Sequence, residues 1–303
     1  MRYYSFPDYC MNTFGRKLYK IPLDASFTCP NRDGKISTGG CIFCGEGGSG
    51  DFALKYSGQK LDPEKIPYVR NPQAGPGNFI GYFQAYTNTY APVNVLRNLF
   101  ERALEDDALA GISIATRPDC MDGDVLSLLE ELKNRHPDKF IWIELGLQTI
   151  HEETARFINR GYPLAVFEEC LNHLKQIGIP VIVHIIIGLP HETEEMIYQT
   201  VNYLSDKKID GIKLQLLHVL KNTRLSQLYH QGEFDVLDEE EYLKILCGCI
   251  ARLDRDIVIH RITGDGNPEM LEAPLWSLQK KKVLNHIGHA LKINDISQGC
   301  LRR

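Results

Sequence analysis

The chain has 303 residues, a formal net charge of −5, 43% apolar and 24% charged residues; this is ordinary globular usage, which excludes a disordered or low-complexity chain and a wholly basic nucleic-acid binder. Nine cysteines over this length do not make a disulfide scaffold. No apolar run reaches the roughly 18 residues of a membrane span, and Met1 to Asp8 lacks the apolar stretch of a signal peptide, so the expected setting is the cytoplasm, without a membrane partner, where grouped cysteines read as metal or redox sites.

Residues 1–16 are polar and aromatic and read as a lead-in segment. Lys17 to Phe27 is a predicted strand that delivers Cys29. Residues 30–77 are rich in Gly and Pro, and a loop of that length inside a domain is usually functional. A rhythm then begins. Predicted strands cover Asn78–Tyr86, Gly111–Thr116, Phe140–Gln148, Ile179–Ile187 and Gly211–Leu217. Between them lie predicted helices over Val93–Asp107, Asp122–Arg135, His151–Ile158 with Leu164–Ile177, and Glu192–Lys207. Strands alternating with helices indicate parallel βαβ units, and Val181-Ile182-Val183-His184-Ile185-Ile186-Ile187 is apolar enough to be covered on both faces. Six such strands make either an open doubly wound sheet or a partial barrel. The core is expected over 17–225 and a C-terminal extension over 226–303. The extension carries a helix at Glu239–Leu253, a strand at Asp256–Ile262, a turn-rich Thr263–Pro268 and a basic helix around Lys280-Lys281-Lys282.

The chemistry concentrates in three cysteines. Cys29, Cys41 and Cys44 have the spacing C-x11-C-x2-C, with Phe43 before the last. Three thiolates can hold three irons of a [4Fe–4S] cluster and leave the fourth open to a small molecule. The alternative is a structural zinc site, which would need a fourth ligand such as Cys10 or a histidine. Cys247 and Cys249, with Cys300, make a second candidate group, against which stands the ordinary reading of buried cysteine. Strand alternation puts Glu144, Gly146 and Gln148 on one face. Gln84, Tyr86, Arg117, His184, Lys213 and Gln215 lie on other strands, most of them near the C-terminal ends where α/β folds bind ligands. Each alone is more often a hydrogen-bonded core group; the argument is their joint placement.

Together the cysteine motif, Phe43 and six βα units resemble the radical S-adenosylmethionine (SAM) superfamily. The eleven-residue first gap replaces the usual three and is similar to the branch containing the elongator catalytic subunit. So are Ile114–Asp119, Glu144–Thr149, Asn159-Arg160-Gly161, Gly188–Thr193 and Lys213–Leu225. The resemblance implies a partial (β/α)6 TIM-type barrel with a C-terminal α/β extension. It also implies Cys29, Cys41 and Cys44 as cluster ligands, SAM as cofactor, and Gln148 with Arg160 as a SAM-contacting pair. Glu144, Gln84, Arg117, Lys213 and Gln215 are the further cofactor-side candidates. Gln84 to Asn88 stands where the family often has Gly-Gly-Glu facing the methionyl amine. The implied chemistry is one-electron cleavage of SAM to a 5′-deoxyadenosyl radical, driven by an external reductant such as flavodoxin or ferredoxin. Tyr86, Cys120 and His184 are candidates for quenching a substrate radical or moving a proton. The bacterial subfamily nearest in pattern is linked to tRNA wobble-uridine maturation, from a carboxymethylaminomethyl side chain toward aminomethyl. Lys280 to Lys282, Arg302 and Arg303 could then meet phosphates, against which stands the ordinary reading of the lysine run as a solvated helix face. A small metabolite or a protein as substrate, and a zinc-stabilised RNA-binding module without catalysis, are the competing expectations.

Overall fold

The computed structural model describes residues 2–302 except 49, 51, 67, 68 and 265. Eight parallel strands form one sheet. In chain order they are β1 (Tyr19–Asp24), β2 (Leu54–Lys55), β3 (Phe79–Phe83), β4 (Leu109–Thr116), β5 (Phe140–Gln148), β6 (Val181–Ile187), β7 (Gly211–Leu216) and, after a small outlying strand β8 (Val219–Leu220), β9 (Val258–Arg261). Their spatial order is β2-β1-β3-β4-β5-β6-β7-β9. Helices α2 (Val93–Leu104), α3 (Gly123–Arg135), α5 (Leu164–Gln176) and α6 (Glu194–Asp206) cover the outer face, with a short α4 (Glu152–Phe157) at the end of β5. The partial barrel is therefore the fold, and its two edge strands are unpaired with each other. Side chains prove the curl: Lys20 on β1 bonds Glu144 on β5, and Lys213 on β7 bonds Tyr82 on β3, across strands that are not neighbours.

The period-two alternation of β6 shows how the sheet is filled. Val181, Val183, Ile185 and Ile187 point outward and are at most 1% exposed against the helices. Ile182, His184 and Ile186 point into the barrel. The same alternation on every strand stacks three internal layers, as barrels do. At the N-terminal end Ile80, Trp142 and Ile182 pack with Leu18 and Ala110. The middle layer is polar: Lys20, Tyr82, Ser113, Glu144, His184 and Lys213. Pro22, Ala115, Gly146, Ile186 and Gln215 follow toward the mouth.

Two expectations change. The lead-in contains a helix, α1 (Phe6–Phe14), capped by Ser5, whose hydroxyl accepts from the Asp8 N–H, with Pro7 in its first turn and Gly15 closing it in the left-handed region. Its aromatic face plugs the barrel bottom. Phe6, Tyr9 and Phe14 all pack on Trp142, and Cys10 is fully buried. The strand of the C-terminal extension does not pack beside the sheet but joins it, as β9 next to β7. The rest of that segment is α7 (Arg224–His230), α8 (Glu239–Arg252), β10 (Leu271–Ala273), which pairs antiparallel with β8, and α9 (Lys280–Ile293). No helix among the described residues is long and apolar enough to cross a membrane.

Candidate active site at the barrel mouth

β1 ends at Asp24, and the chain passes through Ser26 at positive φ to Cys29. The eleven residues between Cys29 and Cys41 are tied down rather than loose. Asn31 is fully buried; its amide donates to the Asn159 carbonyl at 2.5 Å and to the Cys41 sulfur at 3.6 Å. Asn159 answers with its own amide, to Ser37 Oγ at 2.9 Å and the Gly40 carbonyl at 2.8 Å. Gly161 follows at φ +84°, where a Cβ would stand 2.8 Å from Asn31 Oδ1. The turn after α4 thus clamps the cysteine loop. Beyond it, the Ile42 N–H donates to the Ile158 carbonyl, and Leu225 N–H to the Ile42 carbonyl.

None of the three cysteines is in a disulfide. Burial pushes the Cys41 thiol up to about 12, Cys44 and Cys29 add to the rise, and Arg117 opposes it. A thiolate there needs a cation, which an iron cluster supplies. Among the described residues no three of His, Cys, Asp or Glu surround a point that one ion could occupy. A cluster places each thiolate on a different iron, so its ligands stand further apart than those of zinc. Cys44 and Cys29 close enough to act on the Cys41 thiol, with the Asn31 amide on its sulfur, fit a [4Fe–4S] cluster with one open iron.

The end of β5 holds the second feature. Gln148 sits at φ +66°, and the Thr149 N–H bonds back to the Leu147 carbonyl at 2.8 Å, a γ-turn of the strained kind. Its side chain lies over Gly146, where a Cβ would come within 2.8 Å of Gln148 Nε2. Arg160 is 1% exposed and is spent on this turn: it donates to the carbonyls of Leu147 (3.1 Å), Thr149 (2.6 Å) and Tyr162 (3.0 Å). The Tyr162 hydroxyl donates to the Gly146 carbonyl, and both the Arg160 and Arg117 guanidinium groups lie against its ring. Arg160 thus shapes the turn on which Gln148 stands; its Nη2 makes no hydrogen bond but lies 3.6 Å from Glu152 Oε2. Arg117 is likewise committed, forked onto Asp119 at 2.9 and 2.7 Å and donating to the Arg160 carbonyl at 2.8 Å.

Glu144 and Lys213 are not open to a cofactor. Glu144 is 1% exposed and both of its oxygens are used. Oε1 accepts from Lys20 and Ser113, each at 2.7 Å; Oε2 accepts from His184 at 2.6 Å and from Lys213. Burial would raise this carboxyl, but Lys20, Lys213 and His184 outweigh it and hold it well below the usual range. Burial pulls Lys213 down, against the pull of Glu144. Burial, then Lys213, lowers His184 to about 4, so the imidazole is neutral at pH 7. Gln215 lies half-buried one layer higher, and Gln84 just beyond β3 pairs its N–H with the Leu23 carbonyl. Tyr86 is tied by its hydroxyl to the Glu46 carbonyl and packs on Gly48. Cys120 ends a single turn of 3₁₀ helix after Arg117; burial and Asp119 push its thiol up to about 12. Cys247 and Cys249 are buried in α8 and Cys300 is exposed, away from the mouth. Arg302 is taken by Asp206 at 2.9 Å, and Arg303 lies outside the described residues. Lys20, Tyr82, Ser113, Asn31 and Tyr162 were not expected. Lys20 and Ser113 had a signal, as polar residues at alternate positions of apolar strands; Asn31 and Tyr162 had none.

Residues 31–204 match the Radical SAM superfamily, and residues 209–292 match the Radical SAM C-terminal domain. The chain belongs to the radical SAM superfamily. It is 42% identical to the Bacillus subtilis protein YtqA over 98% of this chain and 92% of that one. It is 29% identical to the tRNA uridine(34) acetyltransferase of Methanocaldococcus jannaschii over 45% of this chain and 24% of that one. Among solved structures, the archaeal Elp3 of Methanocaldococcus infernus superposes with a TM-score of 0.63 at 17% identity, over 74% of this chain and 56% of that one. That likeness shows the shared fold. The chain is accordingly an enzyme of the radical SAM class, whose cofactors are a [4Fe–4S] cluster and SAM.

Proposed function

We propose that this enzyme modifies the wobble-uridine side chain of tRNA in the cytoplasm, converting carboxymethylaminomethyl toward aminomethyl. Cys29, Cys41 and Cys44 hold the cluster, with Gln148, set by Arg160 and Tyr162, on the SAM side of the mouth. Gln84, Arg117 and Gln215 complete the rim. When bound, the two cofactors supply a carbon radical that takes a hydrogen atom from substrate, with electrons from a flavodoxin or ferredoxin. The protein's own work is to hold, orient and keep out water. Glu144 and Lys213 are withdrawn from the cofactor set, because they bond each other below it.

The observation that carries this reading is the sequence match, over 45% of this chain, to an enzyme named for uridine 34 of tRNA. The mouth supports it physically, because a base must be splayed from its stack to reach a barrel lumen. Lys281 and Lys282 are exposed on the last helix and suit phosphates. Nucleoside analysis of tRNA incubated anaerobically with reconstituted enzyme, SAM and reductant tests it. The expected result is loss of carboxymethylaminomethyl-uridine, gain of aminomethyl-uridine, and 5′-deoxyadenosine formation that rises with tRNA. Deoxyadenosine formation indifferent to tRNA, with nucleosides unchanged, overturns it in favour of a metabolite or protein substrate. Zinc in place of iron after reconstitution would leave only an RNA-binding module.

A further inference from the structure

The polar layer beneath the mouth leaves one group unused. Ionised Glu144 only accepts hydrogen bonds, so the His184 nitrogen facing it at 2.6 Å, Nε2, carries the proton. The imidazole is neutral, so Nδ1 is a bare acceptor. Nε2 is the ring nitrogen with a protein partner, and Nδ1 is not among the buried atoms left unsatisfied; it is open. The side chain is 16% exposed. Its opening faces the mouth, because Trp142, Ile182 and the aromatic face of α1 close the barrel below. On the neighbouring strand its register partner is Gly146, whose missing side chain leaves room that the amide of Gln148 borders.

On the other side of the same carboxylate stands Lys20. Its ammonium spends one of three hydrogens on Glu144 Oε1, lies 4.5 Å from the Tyr82 ring centre and 5.5 Å from that of Phe6, and its side chain is 21% exposed. Glu144 thus anchors a neutral acceptor through Oε2 and a cationic donor through Oε1, and locks both rotamers. From this we infer that the lumen floor is a two-point site for a secondary amine flanked by a carboxylate, the amine donating to His184 Nδ1 and the carboxylate accepting from Lys20 Nζ. Such a glycine-like group ends the side chain named above, so the inference rests on that reading for its biological substrate but not for its chemistry. His184 and Lys20 are positioning residues for the group whose C–H must face the mouth.

Two measurements test it. On the reconstituted enzyme labelled with ¹⁵N-histidine, N-methylglycine is titrated against acetate and methylamine as single-point controls. His184→Gln, which retains a donor toward Glu144 but displaces the acceptor, assigns the signals. N-methylglycine is expected to move the Nδ1 resonance of His184 and each control to do so at least ten-fold less at equal concentration. In the tRNA assay His184→Gln is expected to raise KM or lower turnover at least ten-fold, with an unchanged urea midpoint at pH 8. An unmoved Nδ1 resonance, or tRNA turnover by His184→Gln at the wild-type rate, overturns the inference. A moved resonance together with inert tRNA overturns the tRNA reading and leaves the two-point site standing.

Discussion

Glu144 shows how far a residue's apparent role depends on its partners. Four donors meet its two oxygens, so it is an internal counterion. Glu144→Gln leaves Lys20 and Lys213 without their charge partner in the barrel interior, which typically costs about 3–5 kcal/mol; urea unfolding of the metal-free protein at pH 8 reads this as a markedly lower midpoint. The pH dependence has a definite sign. His184 titrates at about 4 when folded, against an ordinary value of 6.5. Between those values the unfolded chain takes up a proton that the folded one declines, so stability falls as pH drops from about 6.5 to about 4, by up to about 3 kcal/mol. Buried His260 shifts in the same direction. Urea midpoints taken every half pH unit show a shallower fall in His184→Gln than in wild type. From sequence, Glu144 was legible as a polar residue on a buried strand but not as a counterion. Its partners lie on β1, β4, β6 and β7, and no one-dimensional period encodes which strands face each other across a curl.

At the scale of elements, the cysteine loop is held by the turn at 159–161. Asn31 buries its amide between Asn159 and Cys41, and a lost donor there leaves the Asn159 carbonyl unpaired, at a cost of about 1–3 kcal/mol. Asn31→Ala is expected to keep the barrel folded by circular dichroism yet retain less than half the iron per chain after gel filtration; full iron retention would show that the clamp is dispensable. The βα rhythm was legible because β6 and its neighbours are apolar on the outer face and flanked by amphipathic helices. Helix α1 was harder to see, since its buried face is aromatic and its nine residues span little more than two turns. Gln148 and Arg160 were joined in the sequence only by the family resemblance, as a SAM-contacting pair. That the arginine folds the backbone on which the glutamine stands was not legible.

Over the whole molecule, charge is nearly balanced, so any attraction for a polyanion is local. Lys281 and Lys282 stand exposed on α9, while Arg302 is already paired. Replacing both lysines by Gln is expected to weaken tRNA binding several-fold at low salt and to flatten its dependence on salt by about two counterions' worth, as read by filter binding between low and moderate ionic strength. An unchanged slope would place the tRNA elsewhere. SAM binding at the mouth is expected to be unaffected in the same protein.

The two ends of the described chain meet under the barrel. Ser5 bridges to Ile259, the Ile259 N–H donates to the Tyr4 carbonyl, and Gln298 bonds both Arg2 and Tyr4. A ribosome makes residue 298 nearly three hundred additions after residues 2–14. Throughout that interval Phe6, Tyr9 and Phe14 have a sheet to sit on only once β5 and β6 emerge, and no anchor at their start until β9 arrives. Until then the nascent polypeptide carries α1 with its aromatic face without its native cover, and the contacts that secure residues 2–5 are among the last to form.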